Sequence, residues 1–272
     1  MASQARIRSL RNVVSVLFLY AIATMPLYAI RTYIRIHFTR KSHYAEWKRR
    51  LGNDFDYQWK NLPSRAIEYN KDRIDEFLAF TGFKPEEMVN RVCLDAGCGN
   101  GRYTYAMLKL GAATVDSIDI SPEAVAKCSA VNPLAQVKNI MDLKPDPKYD
   151  FVLSWGVLNH VERPREAFSR VASQVAKGGT LHIMVYHKHT QLQYEEGRRL
   201  WPTLTEQERE SYCKKMIKKY GGDMHGWFDA LNPTYNWAFT EGEVEKWFEE
   251  EGFSEMHLVQ KYNINMNGRR LD

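Results

Sequence analysis

The stretch Leu94-Asp95-Ala96-Gly97-Cys98-Gly99-Asn100-Gly101 constrains this chain more than any other. A short apolar run ends in an acid, glycine then recurs at every second position, and a helical pattern follows from Tyr103. A run of that kind stopped by glycine reads as a buried strand. Glycines at a strand-to-helix turn let the backbone approach a ligand closely. The helix N-terminus beyond them offers unpaired N–H groups to an anionic group. A nicotinamide-dinucleotide fingerprint needs a further glycine three residues after Gly99. Arg102 stands there instead, so the spacing points away from that cofactor. Asp119 closes the next predicted strand, where an acid can accept both ribose hydroxyls of a nucleoside. Asp142, in Met141-Asp142-Leu143, is placed to accept from an adenine amino group or to serve as an ordinary loop acid.

The flanking sequence alternates strand and helix patterns. Strands are predicted at Val92–Asp95, Ala113–Ile120, Gln136–Ile140, Tyr149–Ser154, Thr180–Val185 and Met256–Tyr262. Helices are predicted at 64–82, Tyr103–Leu110, from Pro122, Pro164–Val175, Thr205–Tyr220 and from Glu241. Ser121 with Pro122 reads as a helix start, and Thr240 with Glu243 as a capping box. Gly178-Gly179 reads as the turn before the fifth strand. Such alternation implies βαβ units and a mostly parallel sheet with helices on both faces. Residues 187–238 break the rhythm with a polar helix and the aromatic-rich stretch Trp227–Trp237, read either as an acceptor-binding lid or as a folded-back cap. Two parts follow: an N-terminal segment, 1–50, and a body, 51–272. Within the body, 90–186 form the cofactor-binding half and 187–240 the cap.

The ordered motifs LDAGCGNG, SIDIS, MDL, YDFVLSWGVLNHV and AKGGTLHIMVY resemble those of the class I S-adenosylmethionine-dependent methyltransferases. The resemblance covers residues 90–186 directly. It implies a Rossmann-like α/β fold with a seven-stranded sheet whose last strand runs antiparallel, the sixth and seventh strands taking the chain to 262. It also implies that Gly97, Gly99 and Gly101 wrap the methionine part of S-adenosylmethionine, that Asp119 holds the ribose and Asp142 the adenine. Asp95, Ile120, Leu143, Ser154 and Val157 complete the implied contacts. Two departures occur: Ala176-Lys177-Gly178-Gly179 replaces the family's Lys-Pro-Gly-Gly turn, and Ser117 stands where glycine is frequent.

A sulfonium methyl is already activated, so the protein's main task is to align the acceptor behind it. A hydroxyl or amine acceptor also needs a base. His160, after the fourth strand, suits that role, and its other reading is a crevice-shaping residue. Tyr186 is a second catalytic candidate. His187, Trp227, Tyr235 and Trp237 are candidates for holding the acceptor. His187, His189 and His225 show no standard zinc spacing, so no metal is expected.

The charge is uneven. Residues 1–50 hold ten Lys/Arg and one acid, whereas the rest holds 28 Lys/Arg against 32 Asp/Glu. The body is therefore not a basic surface, and no nucleic-acid partner is expected. Asn12–Ile30 carries no charge over 19 residues and is bordered by arginines on both sides. It reads as a hydrophobic helix that spans a membrane or lies on it, with membrane contact over 12–50. The heavier basic flank, 31–50, places the body in the cytoplasm. A cleaved signal, a mitochondrial transit segment and a helix packed on the body are the competing readings. The expectation is a membrane-associated methyltransferase that modifies an O, N or C nucleophile of a small or lipid-like acceptor. A non-catalytic scaffold on the same fold is the alternative, and an aminopropyl transferase is a third reading.

Overall fold

The computed structural model describes residues 46, 49, 52, 55–62, 69–260 and 262–271. Packing divides the chain into two units, Met1–Arg50 and Leu51–Asp272. Of the first unit only Glu46 and Arg49 are described, both helical. The predicted hydrophobic helix and the membrane-contacting segment 12–50 otherwise lie outside the described residues. Among the described residues, no helix is long and apolar enough to cross a membrane.

Seven strands build one sheet in the second unit: β1 (Val92–Ala96), β2 (Thr114–Asp119), β3 (Gln136–Val137), β4 (Tyr149–Trp155), β5 (Val175–Val185), β6 (Phe253–Gln260) and β7 (Ile264–Arg270). Their order is β3-β2-β1-β4-β5-β7-β6. β1 to β5 pair in parallel, whereas β7 runs antiparallel to both β5 and β6. The helices are α1 (Lys71–Thr81), α2 (Arg102–Lys109), α3 (Pro122–Cys128), α4 (Pro164–Ala172), α5 (Glu195–Leu200), α6 (Glu206–Tyr220), α7 (Met224–Leu231) and α8 (Glu241–Glu250). Strand order reverses between β1 and β4. In open α/β sheets that is where ligands bind, beyond the carboxyl ends of the strands.

Local chemistry explains most boundaries. Ser121 caps α3 by accepting from Ala124 N–H, with Pro122 in the first turn. Thr205 with Glu208 and Thr240 with Glu243 form reciprocal capping boxes on α6 and α8. Four sequence expectations need correction. Of the helix expected over 64–82, residues 64–68 lie outside the described residues, and the described helix starts at Lys71, because the Asn70 side chain accepts from Asp72 N–H. The third strand shrinks to two residues because Asn139 caps a 3-10 turn, Ile140–Asp142. Gly178-Gly179 does not precede β5 but lies inside it. Val175 pairs with Tyr149 and Thr180 with Phe151, so the residues between are looped out of the ladder. The strand expected at 256–262 begins at Phe253, and a further strand, β7, follows it. β7 reads INMNGRR, and its polar/apolar alternation lasts only from Ile264 to Asn267 before Gly268-Arg269-Arg270, too short a signal to mark a strand. Its burial comes from lying between β5 and β6.

One packed layer joins α1 and α2 to β1 and β4 through Phe77, Phe80, Tyr103, Met107, Cys93 and Phe151. A smaller cluster binds the cap together through Trp201, Cys213, Met216, Trp227, Phe228 and Leu231. On the other side of the sheet, α8 presses Phe248 against β7. A Cβ on Gly268 would stand 2.3 Å from the Phe248 ring. Gly268→Ala is expected to cost about 1–3 kcal/mol of overpacking, read as a lowered urea midpoint with an unchanged slope.

Beneath the glycine turn runs a buried polar chain. Thr104 Oγ1 donates to Asp95 Oδ2 at 2.7 Å and meets Ser117 Oγ at 2.8 Å. Asn132 Nδ2 donates to Ser117 Oγ and to the Val115 carbonyl. Burial pushes the Asp95 carboxyl up to about 7, with the Thr104 hydroxyl only partly offsetting it. Between the ordinary carboxylate range and about 7, the native chain therefore holds a proton that the unfolded chain has lost. Stability should fall as pH rises through that window and level off above it, by up to about 1.4 kcal/mol per pH unit. Urea unfolding from about pH 5 to about pH 8 should show this slope in the wild type and lose it in Asp95→Asn.

Candidate active site

The turn after β1 is shaped by where its amides go. Gly97 N–H and Cys98 N–H both donate to the Ile118 carbonyl, at 2.8 and 2.9 Å. Gly99 N–H donates to Asp119 Oδ2 at 2.9 Å, and Ser121 N–H donates to Asp119 Oδ1 at 2.9 Å. Each carboxylate oxygen keeps further lone-pair capacity for a ligand hydroxyl. Burial pushes the Asp119 carboxyl above the usual range, and the backbone N–H groups of Ser121 and Gly99 pull it back. Gly97 and Gly101 take φ of 98° and 85°, in the left-handed region that side chains avoid. A Cβ on Gly97 would sit 2.2 Å from Val157, and one on Gly101 would sit 3.0 Å from the backbone of Cys128. The turn therefore admits nothing larger than glycine at these points.

Above the turn lies a cavity of about 470 Å³. At one end it is lined by Asp119, Ile120, Asn139 and Ile140. Asn139 spends its carbonyl on capping Met141 N–H, and its buried amide nitrogen has no partner. An unpaired donor between two isoleucines suits the edge of a flat heterocycle such as adenine. Gly97, Gly99, Trp155, Gly156 and Val157 line the middle. The far end is formed by His160, Tyr186, Trp227 and Asp229.

The expected site residues distribute unevenly over this space. Gly97, Gly99, Asp119, Ile120, Val157, His160, Tyr186 and Trp227 line it. Gly101, Asp95, Leu143 and Ser154 support it without lining it, the last three buried. Asp142 is the exposed last residue of the 3-10 turn, and Asn139 and Ile140 occupy the wall assigned to it. His187, Tyr235 and Trp237 are not brought to the cavity. His187 Nδ1 accepts from His189 N–H, and Trp237 Nε1 donates to the Val161 carbonyl. Tyr235 contributes its backbone carbonyl, which lies 2.9 Å from His160 Nδ1. The stretch Trp227–Trp237 is not a lid loop from end to end. Its first part belongs to α7, capped by Asp223, with Trp227 and Phe228 packed into the cap.

At the acceptor end the polar groups interlock. Tyr186 Oη donates to Asp229 Oδ2 at 2.5 Å. His160 Nε2 lies 3.4 Å from Tyr186 Oη and 3.5 Å from Asp229 Oδ2. A carbonyl only accepts, so His160 Nδ1 carries a proton towards Tyr235 and Nε2 faces the Tyr186–Asp229 pair. Burial alone would raise the Asp229 carboxyl, but the His160 imidazole and the Tyr186 hydroxyl outweigh it and hold it at about 2. Burial, then the Asp229 charge, drives the Tyr186 phenol well above its ordinary range. Tyr186 is therefore a neutral donor and Asp229 a fixed negative charge.

Three contributors escaped the sequence reading. Asp229 lies 43 residues from Tyr186, within a segment dominated by aromatics. Residues 55–61, given no part in the site by the sequence, are helical. Asp56 accepts from Ser121 Oγ and Glu123 N–H, Lys127 Nζ donates to the Trp59 carbonyl, and Trp59 covers Gly99. The run Phe55-Asp56-Tyr57-Gln58-Trp59 carries no cation, a signal that these residues differ from the basic flank 31–50. Asn139 was visible only as part of a short strand.

Comparison with known proteins agrees with this geometry. Residues 59–258 match the family model described as a methyltransferase domain. The tRNA U34 carboxymethyltransferase of Shewanella baltica is 30% identical over 138 residues, which is 48% of this chain and 38% of that protein. The same enzyme of Shewanella frigidimarina is 29% identical over an equal length. The chain thus spans well under half the length of these curated relatives. An S-adenosylmethionine-dependent methyltransferase from Mesorhizobium loti shares the fold at a TM-score of 0.52 and 18% identity, covering 72% of this chain and all of that one. An O-methyltransferase family protein from Burkholderia thailandensis does so at 0.50 and 14%, covering 76% of this chain and 57% of that one.

Proposed function

Because the chain belongs to the class I S-adenosylmethionine-dependent methyltransferases, we propose that it transfers a methyl group to an O, N or C nucleophile whose reactive end reaches Tyr186 and His160. The observation that carries this reading is one continuous cavity, with Asp119 and Asn139 at one end and Tyr186, His160 and Asp229 at the other. When bound, S-adenosylmethionine supplies a sulfonium-activated methyl. Asp119 would take the ribose hydroxyls, Asn139 with Ile120 and Ile140 the adenine, and the Gly97–Gly99 backbone the methionyl portion. Trp59, seated on Gly99, keeps water from that side. Tyr186 donates to Asp229 and so presents a fixed oxygen to the acceptor. A proton taken from the acceptor by His160 Nε2 lands beside the Asp229 carboxylate, which offsets the new charge.

The acceptor we favour is small or amphipathic, with only its reactive head inside the cavity. The uncharged run Asn12–Ile30 and its basic flanks support a membrane-associated protein whose body faces the cytoplasm. A nucleic-acid acceptor is the second reading, carried by the curated relatives named for tRNA. The acidic excess of residues 51–272 weighs against it. The intact glycine turn and Asp119 weigh against a scaffold role.

Calorimetric titration of the full chain with S-adenosylhomocysteine tests the donor site. Binding in the micromolar range is expected, with Asp119→Ala weakening it at least about tenfold through the lost hydrogen bonds. His160→Gln should leave that binding unchanged and slow methyl transfer about 100- to 10,000-fold. Methyl-labelled donor incubated with lipid, phenol and tRNA pools then identifies the acceptor. Label in tRNA alone would establish the second reading, and no binding by a folded chain would end both.

A further inference from the structure

The cavity opens beside a helix whose charge its own packing does not use. The acids of α6, Glu206, Glu208 and Glu210, all lie in its first half. The second half reads Lys214-Lys215-Met216-Ile217-Lys218-Lys219-Tyr220 and holds no acid. Lys214 with Lys218 and Lys215 with Lys219 are four apart, so they form two adjoining rows on one helix face. All four are exposed, whereas Cys213 and Met216 are buried in the cap. Lys214 pairs with Glu210 at 2.7 Å. Among the described residues Lys215, Lys218 and Lys219 make no salt bridge, and Glu196 of α5 is the acid whose charge reaches Lys219.

This basic helix end leads into the cavity. Lys219 Nζ lies 4.7 Å from the centroid of the Tyr220 ring. Tyr220 packs against Trp227 at 5.9 Å between centroids, and Tyr194 packs against the same indole at 4.9 Å. All three rings line the cavity, as does Tyr262, whose hydroxyl accepts from Gln193 Nε2. A side chain that lines a cavity and is also well exposed stands at its mouth. Tyr220 is 49% exposed and Tyr262 65%, and Leu192, next to the lining residue Gln193, is 69% exposed. Apolar residues scattered singly over a surface need no explanation, but three around one mouth do. Lysines beside such a rim match an anionic bilayer: the ammonium groups draw in the headgroups while the rings and the leucine enter the interface. Leu192 offers nothing to a base or a phosphate, which favours lipid over nucleic acid for this surface.

We propose that the second half of α6, with Leu192, Tyr220 and Tyr262, docks on an anionic phospholipid surface, so that an acceptor passes from the membrane into the cavity. The inference rests on the amphipathic-acceptor reading above. It concerns the body alone and is separate from any anchor in residues 12–50.

The test uses the full chain. Its cysteines at 93, 98, 128 and 213 are buried, so Leu192→Cys gives one accessible thiol for a polarity-sensitive fluorophore, and Leu134→Cys, 73% exposed and away from the mouth, gives a control. Vesicles of phosphatidylcholine with phosphatidylglycerol should shift the emission at 192 to the blue and leave that at 134 unchanged. Pure phosphatidylcholine should shift neither. The shift should shrink as salt rises from about 0.1 to about 1 M, which cuts the screening length from about 10 to about 3 Å. Replacing Lys215, Lys218 and Lys219 by Gln should reduce it to the phosphatidylcholine level while S-adenosylhomocysteine binding stays unchanged. No shift at 192, equal shifts at both positions, or a shift that survives the lysine replacements would overturn the proposal. A shift with tRNA and none with vesicles would overturn it in favour of a nucleic-acid surface. Methyl label found in tRNA alone would remove the amphipathic-acceptor reading, an outcome distinct from loss of the vesicle-induced shift.

Discussion

The Asp119 carboxylate is the hub of this architecture. One oxygen takes the amide of Gly99 and the other that of Ser121, so a single side chain ties the end of β2 to the turn after β1 and to the start of α3. The Ile118 carbonyl repeats the link one residue earlier by taking two amides of the same turn. Buried amides must be paired, and those of Gly97, Cys98 and Gly99 are paired with the end of β2 rather than within the turn. The left-handed glycines follow from that demand, and so does the closeness of the backbone to the cavity. Without this clasp, α2 would not start where Arg102 reaches the cavity, nor α3 where Asp56 meets its first turn.

What the sequence disclosed is what depends on near neighbours. The glycine turn, the Ser121 cap and the Thr240–Glu243 box each involve residues within a few positions of one another, so spacing alone reveals them. The strand order is legible because βαβ connections leave few alternatives. β7 was not legible: its period of two lasts only from Ile264 to Asn267, and its place between two strands is what buries it. The cavity wall divides in the same way. Gly97, Gly99 and Asp119 were readable from spacing, whereas Asp229 and Trp59 join the site through contacts across dozens of residues. His187 and Trp237 showed the reverse problem. Their chemistry suited an acceptor site, yet neither lines the cavity, and His187 Nδ1 and Trp237 Nε1 are each engaged by a backbone group.

The two ends of the cavity solve different electrostatic problems. At the nucleoside end, an acid is held by backbone amides and stays near neutral donors. At the acceptor end, the half-buried Asp229 remains charged because an imidazole and a phenol flank it. A carboxylate so placed fixes the orientation of Tyr186 more firmly than packing would, since the hydrogen bond to a charged acceptor is directional and strong.

Residues 235–239 cross back over the sheet edge and are pinned by main-chain groups. Trp237 N–H meets the Asn159 carbonyl, Phe239 N–H meets that of Tyr186, and Lys188 N–H meets that of Phe239. His160 is thus steadied by a peptide carbonyl and not by the Tyr235 ring. Main-chain carbonyls are supplied by every amino acid, so the brace is indifferent to which side chain stands at 235. The cap in front of this brace is held by its own apolar cluster. Its inner surface is therefore free to be re-lined for a different acceptor while the imidazole behind it stays registered to the same point in space.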